Sequence, residues 1–217
     1  MKIIDLHNHT KFSYDGQNTA REIIENAVAG GVDVIAITDH QFSIGTKIGE
    51  YIGEINALKA EFEGRIRVLC GLEIGTRPKP SDLPPKISGM LDFCLFESLD
   101  SKNGMDIYEF LEWKRQFLCP TGLAHTDIFG LSKRYRIDIL KVLKRENIFW
   151  EINFSGNYDY YFDFITNKQK QNAIKESKIA ISIGSDTHWT GDFDKKRLVQ
   201  ANELARKLEN PIALGLD

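Results

Sequence analysis

The stretch VDVIAIT (32–38) is almost entirely apolar and rich in β-branched side chains. A run of that kind is stable as a strand only where both of its faces are covered, as in a parallel sheet flanked by helices. Six more short apolar runs follow the same pattern: KIIDL (2–6), IRVLCGLEI (66–74), LDFCLF (91–96), CPTGLAH (119–125), IFWEIN (148–153) and IAISIGSD (179–186). Amphipathic stretches separate most of them. TAREIIENAVAGG (19–31) reads as a helix, opened by a capping box of Thr19 and Glu22, stopped by Gly30 and Gly31, and carrying Ile23, Ile24, Ala27 and Val28 on one face. Ile48, Ile52, Ile55, Leu58 and Phe62 recur at helical spacing over 45–63, and Gly64 ends that helix. Further helices are expected over 104–117, 132–146, 165–178 and 194–208. The Pro-rich loop 77–85 cannot continue regular structure, and NYDYYFDF (157–164) is expected as an aromatic, acidic loop. Seven strands mostly alternating with helices predict an α/β fold with a parallel sheet wrapped by helices. The chain has 217 residues, 42% of them hydrophobic, and no linker or compositional break, so one domain with a sizeable core is expected.

The formal net charge is -3, from 28 basic and 31 acidic residues, which gives no strong pull toward nucleic acid or an anionic membrane. No apolar run approaches the ~20 residues of a membrane span. The N-terminus opens on a strand-like run without the pattern of a signal peptide, so the cytoplasm is the expected compartment. Cys70, Cys94 and Cys119 are scattered and never spaced as a metal pair; each lies in or beside an apolar run and is expected as a buried free thiol.

The five histidines fall into a single pattern. His7 and His9 follow the first strand, His40 the second, His125 the fifth and His188 the seventh. No predicted helix carries one. Carboxylates also stand at strand ends: Asp15, Asp39, Glu73 and Asp186. In a closed parallel barrel all C-terminal strand ends open on one rim, where active sites form. Residues far apart in sequence would therefore converge on one mouth. Imidazole with carboxylate suits zinc, iron or manganese. So many ligands suffice for two or three divalent ions, and ions about 3.5–4 Å apart generate hydroxide near neutral pH and clamp both oxygens of a phosphoryl transfer.

These residues resemble the PHP (polymerase and histidinol phosphatase) family of metal-dependent phosphoesterases over nearly the whole chain. DLHNHTKFSYDG (5–16), ITDH (37–40), GLEI (71–74) and GSDTH (184–188) are similar to its four ordered motifs. AHTDIFG (124–130) and EINFSG (151–156) are similar to an intervening His motif and a Glu-x-Asn strand end. The resemblance implies a distorted (β/α)7 TIM-like barrel. It implies that His7, His9, Glu73 and Asp186 hold one ion, that Glu73 bridges to a second bound by His125, and that Asp15, His40 and His188 hold a third. Asp39 would orient a ligand. The family usually has a histidine just after strand four, where this chain has Leu99; Glu97 and Asp100 are the nearby carboxylates able to replace it.

Phosphate needs cations. Lys11, Lys102, Arg134 and Arg136 lie in predicted loops, and the guanidinium groups of Arg134 and Arg136 suit phosphate best. Asn153, on a strand end, is a further site candidate. The expected activity is hydrolysis of a small-molecule phosphate ester, such as histidinol phosphate, by hydroxide bound to the ions, with a nucleotide or an oligonucleotide end as further substrates. Two rivals stand beside it. An amidohydrolase-type enzyme usually carries a carboxylated lysine or a bridging carboxylate mid-barrel, and strand four has no lysine. A decayed, non-catalytic metal-binding module is the reading that Leu99 supports. Oligomeric state is not legible.

Overall fold

A computed structural model describes residues 2–77 and 83–216 of the chain. Seven strands form one all-parallel sheet in sequence order: β1 (Ile4–Asp5), β2 (Val34–Ile37), β3 (Arg67–Gly75), β4 (Phe93–Glu97), β5 (Thr121–Leu123), β6 (Ile148–Asn153) and β7 (Ile181–Gly184). The backbone N–H of Leu6 donates to Ile183 O (2.7 Å) and that of Asp186 to His7 O (2.9 Å), so β7 returns to β1 and the sheet nearly closes into a barrel. The Asp5 carboxylate takes part in the seam, accepting from the Ser185 N–H at 2.9 Å. β1 is shorter than the run 2–6 because it pairs with β2 only at Ile4 and Asp5; past it the chain continues extended, with an isolated bridge between Asn8 and Thr187.

Among the described residues, ten α-helices run between and beside the strands. α1 (Ala20–Gly30) has the capping box of Thr19 and Glu22, and Gly31 caps its far end in the left-handed region at φ 75°. The helix expected over 45–63 divides into α2 (Gln41–Ile44), a short 3₁₀ turn and α3 (Ile48–Glu61). One-turn α4 (Pro85–Ser88) and α5 (Ile107–Lys114) follow; residues 78–82 of the Pro-rich loop lie outside the described residues. The single helix expected over 132–146 is two. α6 (Ile128–Tyr135) is capped by Asp127 and ended by Arg136 in the left-handed region, and α7 (Ile139–Arg145) restarts on a second cap, Asp138. The expected loop 157–164 is instead mostly α8 (Asp159–Thr166), which packs Phe164 against Trp150 with ring centroids 5.0 Å apart. α9 (Lys168–Ser177) and α10 (Lys195–Leu208) complete the layer.

The core is continuous, with apolar residues of β2–β4 and β6–β7 buried against the inner faces of α1, α3 and α10. Cys70 and Cys94 are buried in it. Cys119 is only half-buried, with its sulfur 3.4 Å from that of Cys94, and all three are free thiols. No described helix is long and apolar enough to cross a membrane.

Candidate metal centre

Every strand in this barrel ends toward the same rim, and a cluster of buried polar residues collects there. His7, Asn8, His9, Thr10, Ser13, Asp39, His40, Glu73, Glu151, Asn153 and Asp186 are all buried. Three of the rim positions have φ values that side-chain-bearing residues rarely adopt: Ser98 after β4 (65°), His125 after β5 (27°) and Asp186 after β7 (58°). Backbone held in this region costs roughly 1–3 kcal/mol per residue, and such positions cluster at functional sites. Here they turn His125 and Asp186 inward from the strand ends.

The five imidazoles converge through their Nε2 atoms, His40 presenting its Nδ1 to the cluster as well. His7 Nε2 lies 3.1 Å from His9 Nε2, 3.3 Å from Glu73 Oε1 and 3.5 Å from Asp186 Oδ1. His9 Nε2 lies 3.3 Å from Asp186 Oδ1 and 3.5 Å from Glu73 Oε2. His125 Nε2 reaches Glu73 Oε1 at 2.8 Å. On the other flank, Asp15 Oδ2 lies 3.5 Å from His40 Nε2 and 3.3 Å from His188 Nε2. Four groups of donor atoms are compact enough to hold an ion: His9, Asp15, His40 and His188; His7, Glu73 and His125; His7, His9 and Asp186; His40, Glu73 and Glu97.

The opposite ring nitrogens are held from behind. His7 Nδ1 is 2.7 Å from Glu151 Oε1, His9 Nδ1 is 3.1 Å from Ser13 Oγ, and His188 Nδ1 is 2.8 Å from its neighbour's backbone, Asp186 O. Carboxylate and carbonyl oxygens only accept, so the Nδ1 of His7 and of His188 carries the proton and the Nε2 lone pair faces the cluster. Ser13 Oγ donates to Asp39 Oδ1 at 2.7 Å, which leaves it an acceptor for His9 Nδ1–H. Outer groups that fix ring orientation and tautomer in this way accompany metal-bound histidine.

This donor set fits divalent cations. Two Nε2 atoms 3.1 Å apart, with their lone pairs facing, repel unless a proton or a cation lies between them. Three buried atoms of the same groups, Asp15 Oδ1, His40 Nδ1 and Glu73 Oε2, have no hydrogen-bond partner, and each such atom costs about 1–3 kcal/mol. His40 Nδ1 and Glu73 Oε2 face each other at 3.0 Å without hydrogen-bond alignment. Protonation answers the same field. Burial opposes a charged His7, yet Glu151, Glu73 and Asp186 together raise its pKa well above the ordinary value. His125 is raised to about 9, with burial again overcome by the hydrogen bond and charge of Glu73. Burial alone would push the Glu73 carboxyl up; the positive rings of His7, His125 and His40 bring it well below the carboxylate range instead. Protons and metal ions compete for the same lone pairs, because metal ligands bind in their deprotonated form.

All eight residues read as ligands, His7, His9, Asp15, His40, Glu73, His125, Asp186 and His188, thus stand in one cluster. Asp39 does not touch it directly: it accepts from the Thr10 N–H (2.6 Å), the Thr10 hydroxyl (2.7 Å) and Ser13. Asn153 is spent on structure, donating to Glu151 Oε2 at 3.1 Å and accepting from the Ser155 N–H at 3.1 Å. Arg134 donates to the backbone carbonyls of Asp100 and Ser101 and so ties down the loop after β4. Arg136 is the exposed cap between α6 and α7, and Lys102 is exposed in the loop after β4; neither makes a described contact with the cluster. Leu99 is fully buried, and Asp100 accepts from the Asp127 N–H. Of the two nearby carboxylates, then, only Glu97 faces the ligands, 3.6 Å from His40 Nδ1.

Glu151, Ser13 and Tyr158 complete the surroundings of the ligands. Glu151 sits two residues before Asn153 in a strand whose positions are all buried. A carboxylate in such a strand is itself a signal, because an ionised group is buried there only with partners. Gly184 of β7 makes room for it: a Cβ at that glycine would come within 2.0 Å of Glu151 Oε1 and 2.6 Å of His7 Cβ. The Tyr158 ring stacks on His125 with centroids 4.5 Å apart, and its hydroxyl donates to Asp186 Oδ2 at 3.2 Å.

The PHP domain family model matches residues 5–214. The chain belongs to the PHP domain family. The chain is 25% identical to a histidinol-phosphatase of Lactococcus lactis, over 100% of this chain and 84% of that protein. It is 27% identical to a probable phosphatase of Caldanaerobacter subterraneus, over 99% of this chain and 87% of that protein. The fold is similar to that of histidinol phosphate phosphatase from Lactococcus lactis, solved with zinc, L-histidinol and phosphate. The TM-score is 0.64 at 22% identity, covering 96% of this chain and 94% of the other. The PHP-type barrel expected from the motifs is therefore the observed fold.

Proposed function

We propose that this chain is a metal-dependent phosphoesterase that hydrolyses a small-molecule phosphomonoester at the C-terminal rim of its barrel. The observation that carries this reading is the convergence of five histidine rings with Asp15, Glu73 and Asp186, the Nδ1 atoms of His7, His9 and His188 being held from behind by groups that fix the ring. The histidinol-phosphatase and probable-phosphatase relatives support the reaction class.

In this reading His7, His9, Glu73 and Asp186 hold one ion, Glu73 and His125 a second, and Asp15, His40 and His188 a third, with Glu97 as the carboxylate on the Glu73 side. Two to three divalent ions are accommodated, with zinc first among zinc, iron and manganese. Such ions, when bound, polarise phosphoryl oxygens and lower the pKa of an attacking water. The protein's own contribution is geometric. Glu151, held by Asn153, keeps the His7 Nε2 lone pair inward, Asp39 does so for His9 through Ser13, and Tyr158 covers the His125 side. Among the cations named from sequence, Lys102 is free to reach a phosphate from the loop after β4, whereas Arg134 must first leave two carbonyls and Arg136 sits between α6 and α7. Histidinol phosphate is the first substrate to try, because the Lactococcus relative is named for it; nucleotides and oligonucleotide ends come next. Three free thiols support a reducing compartment, the cytoplasm.

The test is phosphate release from a panel of these esters by metal-free protein and by protein loaded with zinc, iron or manganese. Turnover that needs metal, and that falls at least about 100-fold in His7→Ala and Asp186→Ala with melting temperature retained, is the expected result. A fully loaded protein that releases phosphate from none of them contradicts the reading and favours a decayed module.

A further inference from the structure

The mouth of the cluster carries two large aromatic rings whose outer faces stand in solvent. Tyr14 is 73% exposed and Phe42 61%. Their rings are not loose. They lie 5.4 Å from each other, and both sit against the imidazole of His40, at 5.4 Å for Tyr14 and 5.3 Å for Phe42. The chain fixes them there: Tyr14 immediately precedes Asp15, Phe42 follows His40 by two residues in α2, and the Tyr14 N–H donates to Ser43 Oγ at 3.3 Å. Two large rings left in water beside a concave polar site mark a ligand-binding surface, because packing alone would bury them.

The opposite side of the cluster is furnished differently. Tyr158 lies flat on His125, and its hydroxyl is engaged by Asp186. At the edge formed by Tyr14 and Phe42 the rings are more exposed than Trp189, which follows His188 and is 44% exposed. A phosphate drawn to the ions leaves the organic part of its ester to project past the rim. Over this edge it meets π-faces, and no lysine or arginine makes a described contact with the two rings.

We infer that Tyr14 and Phe42 form a platform for the leaving group, so that the preferred phosphomonoester carries a planar aromatic or heteroaromatic ring a few atoms from phosphorus. This assignment rests on phosphoester hydrolysis at the centre and adds the class of alcohol released. Stacking of a flat ring on an aromatic side chain is worth roughly 5- to 150-fold in affinity.

Metal-loaded wild type, Tyr14→Ala, Phe42→Ala and the double variant are compared on phenyl phosphate, histidinol phosphate and glycerol 3-phosphate. The same proteins are titrated calorimetrically with phenylphosphonate and methylphosphonate, which keep the anion but cannot be hydrolysed. Wild type is expected to prefer ring-bearing esters, and the double variant to lower that preference in kcat/KM by about 10- to 100-fold, mainly through KM. Phenylphosphonate is expected to bind wild type at least about 10-fold tighter than methylphosphonate, with the difference lost in the double variant and kept in Tyr14→Phe. Metal content and melting temperature are checked in each variant, so that a collapsed His40 site is recognised. Esters hydrolysed with no ring preference, or a preference that survives the double variant, overturn the platform and leave the phosphoesterase reading standing. Ring-dependent phosphonate binding without turnover of any ester does the reverse.

Discussion

Glu151→Gln probes the centre without removing any ligand. Glu151 Oε1 takes the His7 Nδ1 proton at 2.7 Å, while Oε2 takes the His125 N–H at 2.7 Å and the Asn153 amide at 3.1 Å. A glutamine fits the same space but has one acceptor oxygen. With that oxygen toward His125 and Asn153, its NH2 group faces His7 Nδ1 and forces the ring to accept there. The proton then moves to Nε2 and occupies the lone pair that the ion needs. With the amide reversed, two buried donors face an NH2 group, which costs about 1–3 kcal/mol for each donor left unpaired. The first arrangement blocks the ion at His7 and the second removes the carboxylate charge that makes the ring more basic, and outer groups of this kind are worth 10- to 100-fold in metal affinity. That range corresponds to about 1.4–2.7 kcal/mol. Competition of wild type and variant against a chromophoric zinc chelator measures it, with circular dichroism to confirm the fold. Weaker binding by 10- to 100-fold is expected. Unchanged affinity in a folded variant would show that Glu151 does not set the His7 tautomer, and the account of inward-facing Nε2 atoms would fail.

Three further outcomes follow from the structure. The folded His125 pKa, about 9, lies above the ordinary 6.5, so its proton stabilises metal-free protein fully below pH 6.5 and progressively less as pH rises through 9. This amounts to up to about 3 kcal/mol, and calorimetric scans of metal-free protein should lose several degrees between those pH values, a loss that saturating zinc abolishes. Gly184→Ala forces a Cβ to within 2.0 Å of Glu151 Oε1, so melting temperature and zinc affinity should fall together, with a stability loss of about 1–3 kcal/mol or more. Thr19→Ala removes the cap of α1, whose Oγ1 accepts from the Glu22 N–H at 3.3 Å; about 1 kcal/mol, or roughly 2–4 °C in melting temperature, should be lost with metal affinity unchanged.

The strands were legible because residues buried on both faces leave little but apolar, β-branched side chains, and β6 (Ile148–Asn153) matches its run residue for residue. The ligand cluster was legible for a topological reason: in a parallel barrel a histidine at a strand end is at the rim. What the sequence hid was local. The break between α6 and α7 depends on Arg136 accepting a left-handed conformation, which arginine rarely signals, and on Asp138 acting as a second cap. The stretch NYDYYFDF reads as a loop, but from Asp159 it is helical, burying Phe164 and packing Tyr160 and Tyr161 partly against the core. Asn153 drew attention at the end of its strand, while Glu151, two residues back on the same face, makes the contact with a ligand. Arg134 has the chemistry of a phosphate binder but is engaged by carbonyls that only the folded loop brings near.

The central claim is that the rim holds several ions in one cluster, and anomalous diffraction at the zinc absorption edge from zinc-loaded crystals tests it most directly. At least two peaks about 3.5–4 Å apart, one among His7, His9 and Asp186 and another among Asp15, His40 and His188, are the predicted result. A single peak, or zinc bound away from these residues, would contradict it.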